Sequence, residues 1–453
     1  MARIQKPVPF PDLLARHGIN IFEQMNRFKA VDEKGRYLHW HEFMRRVPKG
    51  IDKECAWAAV KIARTNGQRD IGLDSECGDP FVLHLTDFCH KVIHDIEQLS
   101  ARLGAEVNQP PHHNKYLVDS LMMEEAISSA QLEGAATTRK VAKEMLVKER
   151  APQTDDERMI LNNYRLMKHA MRNKDQALTV ELICELHLLA TEGIKDEEVS
   201  PGCLRETDDI FVGDRDGEAA HQPPPAHLLQ QRLENLCAFA NTAHDGKNGR
   251  LFIHPVVKAI ILHFMLGYEH PFVDGNGRTA RGLFYWCMLK SGYWAFEYIS
   301  ISALLKEAPM QYGESYVFTE TDAFDLTYFV IYQLRIIERA MAEFIDYVRA
   351  KQWEFHELMA WLDTSGAGER LNYRQLHLLK KIVREPGRVF TARELTHDHD
   401  ISENTARTDL EKLVEMKALA RSKEGKVYLY VARNDAVANL RKGKVDISSL
   451  VKR

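Results

Sequence analysis

Apolar residues recur every three to four positions over most of this chain, the spacing that places them on one face of an α-helix. Ile210-Phe211-Val212 is an exception: this short apolar run precedes Asp216-Gly217, a strong turn signal, and the two together predict a β-hairpin. The fold class is therefore mainly α with a small β-hairpin. The predicted helices cover 81–103, 115–133, 139–149, 155–173, 178–193, 226–243, 255–268, 278–291 and 325–350.

A different pattern follows residues 364–368, whose small side chains predict a flexible linker. An amphipathic helix is predicted over 371–384. Two shorter helices begin near Thr391 and Ser402, which are good N-cap residues. Two strands around a Glu424-Gly425 turn complete the segment. This order of elements resembles a winged helix-turn-helix domain.

These patterns divide the 453 residues into five parts, since a chain of this length exceeds one small core. The parts are an N-terminal helical region at 1–111, a main helical unit at 112–345, a helix and linker at 346–370, the winged helix-turn-helix at 371–433 and a C-terminal tail at 434–453.

Composition predicts a reduced cytoplasmic protein. Hydrophobic residues make up 45% of the chain and charged residues 28%, as in ordinary soluble proteins. The N-terminal residues lack the apolar core of a signal peptide, and the longest apolar stretch, 255–268, is interrupted by Lys258 and His263, so no membrane contact is expected. The seven cysteines form no CxxC pair and one must stay unpaired.

The candidate chemistry lies in twelve residues, from His270 to Arg281. Histidine is the one side chain whose ordinary pKa leaves it mostly neutral at pH 7, so His270 is a candidate general base. Asp274 offers a hard carboxylate oxygen, which suits a Mg²⁺ ion that also carries nucleotide phosphates.

The middle of the same run predicts a phosphate-binding turn. Gly275, Asn276 and Gly277 tolerate unusual backbone angles, so consecutive N–H groups can point at one anion. The helix predicted to start at Arg278 would direct its positive N-terminal end toward the same anion. Arg278 and Arg281 are three residues apart, where both can reach phosphate oxygens.

The run reads His-Pro-Phe-Val-Asp-Gly-Asn-Gly-Arg-Thr-Ala-Arg and resembles, residue for residue, the HPFxDGNGRxxR signature of the Fic (Fido) family. Residues 254–264 are similar to the helix that precedes this loop in that family. The resemblance implies a Fic-type helical core within 112–345, with the hairpin as a flap that holds a target segment by strand addition. It also implies transfer of AMP from ATP, with Mg²⁺, to a Ser, Thr or Tyr hydroxyl of a protein, the chain itself included among candidate targets.

A second motif lies about 140 residues upstream. Residues 121–134 have helix-forming sequence, and the pattern Ser129-x-x-x-Glu133-Gly134 resembles the inhibitory helix that some Fic proteins carry ahead of the core, here at about 115–134. The resemblance implies that Glu133 pairs with Arg281 and displaces the γ-phosphate of ATP. A carboxylate can do so because it competes for the same guanidinium fork as phosphate.

The C-terminal domain leaves several roles open. Its residues 371–433 have a surplus of four positive charges against −4 for the whole chain, which permits DNA binding without requiring it. The alternatives are dimerisation, giving a homodimer, and docking of the target. The candidate DNA contacts on the third helix are Asn404, Thr405, Arg407 and Thr408; the same helix carries the acidic residues Glu403, Asp409, Glu411 and Glu415.

Two other functions are compatible with the sequence. One is a DNA-binding regulator with a vestigial Fic core, against which the intact His270, Asp274 and Arg281 argue. The other is a Fic enzyme that uses another nucleotide, acts as a kinase or removes AMP. The kinase branch departs at the Gly-Asn-Gly-Arg step, which is intact at 275–278.

Overall fold

The computed structural model describes residues 4–106, 115–194, 199–213, 219–364, 371–399, 401–424 and 427–442. The chain divides into two compact units. Unit 1 comprises Met1–His113 and Val118–Met341, and unit 2 comprises Asn114–Leu117 and Ala342–Arg453. Both are mainly helical, in agreement with the predicted fold class.

The helices of unit 1 cover most of the predicted helical ranges. They are α1 (Phe10–His17), α2 (Asn20–Met25), α3 (Trp40–Phe43), α4 (Lys53–Thr65), α5 (Asp87–Glu106), α6 (Lys115–Leu132), α7 (Arg139–Val147), α8 (Asp155–Arg172), α9 (Val180–Thr191), α10 (Leu229–Asn241), α11 (Pro255–Glu269), α12 (Asn276–Lys290), α13 (Ser302–Glu307), α14 (Pro309–Thr321) and α15 (Thr327–Thr364), the last continuing into unit 2. Threonine and aspartate N-caps begin several of them; Thr154 and Thr179, for example, accept a hydrogen bond from the backbone of the first turn.

The helix predicted to start at residue 81 is wrong in its first turns. Arg69–Asp74 (β1) and Pro80–Leu83 (β2) form an antiparallel pair, and α5 begins only at Asp87. Phe81 and Leu83 are buried while the residues beside them are more exposed, so this short run has the two-residue period of a strand. The helical spacing of the longer segment that follows dominated the prediction over the two-residue period of this short strand.

The predicted β-hairpin is confirmed in its strands. Val212–Gly213 (β3) pairs antiparallel with Ala219–His221 (β4), and we call residues 208–213 and 219–224 the flap. The Asp216-Gly217 turn lies outside the described residues. His221 ends β4 and is buried, which ties this small sheet to the rest of unit 1.

The centre of unit 1 is the helix pair α11 and α12, which pack on each other and are buried on nearly every side. The apolar stretch 255–268 is thus core. Helix α12 begins at Asn276, two residues before the predicted Arg278. Among the described residues no helix combines the length and apolarity needed to cross a membrane.

Unit 2 contains the predicted elements in the predicted order. After α15 come α16 (Tyr373–Arg384), β5 (Val389–Phe390), α17 (Ala392–His399), α18 (Glu403–Glu415), β6 (Leu419–Glu424), β7 (Val427–Ala432) and α19 (Ala436–Lys442), with strand order β5-β7-β6. Strand β5 and helix α19 were not predicted. Gly425, the linker residues 365–368 and the end of the tail from residue 443 lie outside the described residues. The winged helix-turn-helix assignment stays a prediction.

Asp409, one of the acidic residues of α18, is buried. Its buried carboxylate accepts hydrogen bonds from Asn372 Nδ2, Arg374 Nε and Gln375 Nε2 at 2.8–2.9 Å. Asn372 and Gln375 also form the capping box of α16. Asp409 therefore joins α16 to α18.

Candidate active site

His270 lies at the turn that follows α11, with a left-handed backbone (φ 43°, ψ 57°). This conformation is unfavourable for a residue with a Cβ atom, so surrounding contacts must hold it. Arg205 supplies two of them: its Nε donates to the carbonyl of His270 and its backbone N–H donates to the carbonyl of Pro271, both at 2.9 Å. The backbone N–H of His270 donates to Leu266 at 3.1 Å.

The side chain of His270 is suited to accept a proton. Burial and the positive charge of nearby His221 lower the pKa of His270 to about 4, although a hydrogen bond to the backbone of Gly267 opposes this shift. The imidazole is therefore neutral at pH 7, the state that a general base requires.

The loop after His270 is closed by Asn276. Its Nδ2 donates to the carbonyl of Phe272 at 2.8 Å and its Oδ1 accepts from the N–H of Phe272 at 3.0 Å. Phe272 is fully buried, so the loop is anchored in the core. The side chain of Asn276 is thus engaged within the loop, which leaves its backbone N–H, the group predicted to point at an anion, for that role.

A glycine allows this loop to pass close to its neighbours. Gly275 is the N-cap of α12 with φ +80°, and a Cβ atom there would lie 2.8 Å from Thr191 Cγ2. The first backbone N–H groups of α12, including those of Asn276 and Gly277, have no acceptor within the helix. They point outward from its N-terminal end. This end of α12 is therefore a favourable place for a phosphate.

His187 of α9 supports the loop and was missed by the sequence analysis. Its ring stacks on Phe272 with centroids 3.7 Å apart. Since Nδ1 accepts from the N–H of Gly202 at 3.0 Å, Nε2 carries the proton and donates to the carbonyl of Asp274 at 2.9 Å. His187 thus fixes the backbone of the candidate metal ligand.

Asp274 and Arg278 form an ion pair. Arg278 Nη2 lies 2.6 Å from Asp274 Oδ2, and Nη1 donates to the carbonyl of Ala190 at 2.7 Å. The guanidinium is fully buried, whereas the Asp274 side chain is 49% exposed. Arg278 therefore orients Asp274 in this conformation, and its predicted contact with phosphate would require a different orientation.

Arg281 occupies a separate buried position, against α6. Its Nε donates to Ser129 Oγ at 2.8 Å, and its Nη2 lies 2.7 Å from Glu133 Oε1. The Arg281 side chain is buried and that of Glu133 is 29% exposed, so the carboxylate lies on the solvent side of the pair. Gly134, with φ +104°, ends the turn after α6. The structure thus brings the predicted inhibitory residues to Arg281.

Gly277 lies beside the ion pair of Glu133 and Arg281. Its substitution tests whether the space at this ion pair receives an anion. A Cβ atom on Gly277 would lie 2.2 Å from Glu133 Oε1 and 3.0 Å from Arg281 Nη1. In a Glu133→Gly background, Gly277→Ala is expected to weaken ATP binding about tenfold or more, because the methyl group fills the anion position at Arg281. Titration calorimetry with ATP and Mg²⁺ measures this.

The matched control is Gly313→Ala on α14, where a Cβ atom would meet nothing within 4 Å. Its ATP affinity should equal that of the background variant. An unchanged affinity in Gly277→Ala would show that the space beside Arg281 does not receive an anion.

The candidate DNA contacts of unit 2 lie on one helix. Asn404, Arg407 and Thr408 are exposed and Thr405 is half-buried. Arg407 pairs with Glu403 at 2.7 Å, and Arg421 of the following strand pairs with Glu411 at 2.9 Å. These acidic partners offset the positive charge of the face, and its contact with DNA stays a prediction.

The comparisons with known proteins agree with this site. Residues 177–288 match the Fic/DOC family, a range that includes α9, the flap, α11 and the whole run from His270 to Arg281. This part of the chain is therefore similar to Fic/DOC family domains.

Curated relatives carry a more specific name. A protein of Drosophila virilis named protein adenylyltransferase Fic is 31% identical over 141 residues, which is 31% of this chain and 26% of that protein. The protein of the same name from Drosophila melanogaster is 33% identical over 116 residues, which is 26% of this chain and 21% of that protein. The matched part is about a quarter of the relatives' length.

Solved structures of the family are more distant in sequence. A Fic family protein from Desulfovibrio desulfuricans G20 is 17% identical, with a TM-score of 0.48, and the comparison covers 77% of this chain and 96% of that one. A Fic domain containing signaling protein from Bacteroides thetaiotaomicron is 20% identical with a TM-score of 0.47, covering 56% and 97% respectively.

Proposed function

We propose that the chain is a protein adenylyltransferase whose resting state is inhibited by Glu133. The observation that carries the proposal is the position of a neutral histidine, His270, in the loop that leads into the N-terminus of α12. A base and an anion-binding helix end at one loop suit the attack of a hydroxyl on a bound phosphate.

The reaction would proceed by in-line displacement. A Ser, Thr or Tyr hydroxyl, positioned along the flap, gives its proton to His270. Its oxygen forms a bond to the α-phosphorus of ATP, and the bond from that phosphorus to the bridging oxygen breaks, so that pyrophosphate leaves. The N–H groups at the start of α12 stabilise the negative charge on the phosphate oxygens.

Asp274 fits a magnesium ion that arrives with the nucleotide. Its carboxylate is half exposed and is oriented by Arg278, so an oxygen can reach a hard cation. The described residues contain no cluster of three or more His, Cys, Asp or Glu side chains for a metal, so the other ligands would have to come from substrate phosphates and water. Bound Mg²⁺ would neutralise phosphate charge.

Glu133 would regulate the site through Arg281. With Glu133 bound to Arg281, the γ-phosphate lacks its guanidinium partner and ATP cannot adopt the reactive position. Departure of the carboxylate would free Arg281 for phosphate. The ion pair at 2.7 Å supports this role, because the two anions compete for one donor pair.

Radiolabel transfer tests the proposed reaction. The full chain is incubated with Mg²⁺ and ATP labelled at either the α- or the γ-phosphate, and protein-bound label is counted. Label from the α-position only supports adenylyl transfer. Label from the γ-position identifies a kinase. Label that is transferred only from another α-labelled nucleotide identifies that nucleotide as the substrate. With no label from any nucleotide, release of AMP from a modified protein and binding of DNA by unit 2 become the next assays.

A further inference from the structure

Two buried side chains attach the flap to the turn at His270: Arg205, which donates to the carbonyls of Pro224 and His270, and His221. His221, the last residue of β4, places Nδ1 2.8 Å from Glu320 Oε2 of α14 and Nε2 2.7 Å from the carbonyl oxygen of Tyr268. Tyr268 is two residues before His270. A single imidazole therefore joins the flap, α14 and the end of α11.

The partners of His221 determine its charge. The carbonyl of Tyr268 can only accept a hydrogen bond, so Nε2 must carry a proton. An ionised Glu320 can likewise only accept, so Nδ1 must carry one as well, and the ring is then an imidazolium. The other carboxylate oxygen of Glu320, Oε1, is buried and has no hydrogen-bond partner among the described residues, so the ring of His221 is the polar partner of this carboxylate there.

Other charged groups surround this pair. Burial alone would lower the pKa of His221. The hydrogen bond and the charge of Glu320 outweigh burial, and Glu269 makes a smaller contribution, so the pKa of His221 is raised above 6.5. Glu269 is itself paired with Arg232 at 2.7 Å. Two basic groups lie nearby: His270, whose pKa the charge of His221 lowers, and Arg205, whose charge acts on both His270 and Glu269.

We propose that His221 is a positively charged positioning residue, which with Glu320 docks the flap on the turn that carries His270 and adds to the effect of burial in favouring the neutral form of His270. The docking does not depend on the nature of the reaction. The effect on His270 rests on the proposed function.

The pH dependence has a definite sign. Because the pKa of His221 is raised in the docked state, docking is strongest below the ordinary histidine pKa and is lost as the pH rises through the raised value. After the proton is lost, the lone pair of Nδ1 faces the ionised Glu320, and the bond becomes a repulsion.

Hydrogen–deuterium exchange on the full chain tests the docking at about pH 6 and about pH 9.5, corrected for intrinsic exchange. Peptides covering 219–224 and 266–272 are followed. In the wild type, protection should fall about tenfold or more at the higher pH, since a charged hydrogen bond is lost. In His221→Phe, which keeps an aromatic ring, protection should be low at both pH values.

Glu320→Gln separates charge from shape. The amide of the new side chain can donate to Nδ1 of a neutral His221. The protection of the flap in this variant should therefore be the same at both pH values. Glu314→Gln, a substitution on the same helix beside Glu42, should behave like the wild type. Equal protection at both pH values in the wild type, or unchanged protection in His221→Phe, overturns the proposal.

A kinetic measurement tests the effect on His270. In α-label transfer, the acid limb of the pH profile should move to higher pH in His221→Phe, because the positive charge that disfavours protonation of His270 is removed; Glu314→Gln should not move it. An unmoved limb overturns this part. If no label is transferred by any variant, the proposed function fails, while the exchange experiment still decides the docking.

Discussion

Replacing Glu133 with glycine is expected to raise AMP transfer by about tenfold or more, the factor expected for losing one charged hydrogen bond from a competitor. The substitution frees a buried arginine, Arg281, which keeps its second contact with Ser129 Oγ at 2.8 Å and so remains in place for phosphate. Intact mass spectrometry after incubation with ATP and Mg²⁺ counts the adenylyl groups on the full chain, and initial rates are taken from the same samples.

A matched pair of neutral substitutions separates inhibition from general loosening of α6. Glu133→Gln removes the charge that binds Arg281. Glu124→Gln removes a charge from α6 itself, the helix that ends just before Glu133; Glu124 pairs there with Arg139 at 2.6 Å. Only the first should activate. Equal rates in the wild type and Glu133→Gly, or equal activation by both neutral substitutions, would exclude Glu133 as the inhibitory residue.

Replacing His270 with alanine is expected to lower the rate of the Glu133→Gly protein by about a hundredfold to ten-thousandfold, the usual contribution of a general base. Added imidazole should restore part of the activity, because it can enter the space left by the ring and accept the proton. The control is His90→Ala, an exposed histidine on α5, which should not change the rate.

The pH profile of the Glu133→Gly protein gives the same assignment a second test. The pKa of His270 is lowered to about 4 by burial and by His221, so the base stays neutral from neutral pH down to about that value. The rate should therefore fall only as the pH approaches 4, well below the ordinary 6.5 of histidine. Circular dichroism at each pH shows whether the fold persists. A full rate in His270→Ala would refute the role of His270.

The residues of the candidate site could be identified from the sequence, but most of their contacts could not. The run from His270 to Arg281 and the pair of Ser129 and Glu133 were identifiable because their order along the chain is itself the signal. The contacts of the Asn276 side chain could not be predicted, since residue type alone does not reveal that Phe272, four residues earlier, uses both of its polar atoms.

The supporting residues could not be found in this way. His187, Arg205 and His221 act on backbone carbonyls 47 to 87 residues away, and no local spacing marks such pairs. The same limit explains the error at Phe81, where a strand of four residues precedes a helix of twenty and the longer pattern dominates. The buried contacts of Asp409 could not be predicted either, because its three partners lie on another helix and its cap.

The left-handed turn at His270 means that the position of the reactive ring and the stability of the domain are linked. A strained backbone costs on the order of 1 kcal/mol, and it persists only while its surroundings outweigh that cost. Glycine would occupy this position without strain, yet it has no ring to accept a proton. The domain therefore gives up part of its folding free energy at the residue proposed to accept the proton, so selection for greater stability at this position would oppose selection for the proposed activity.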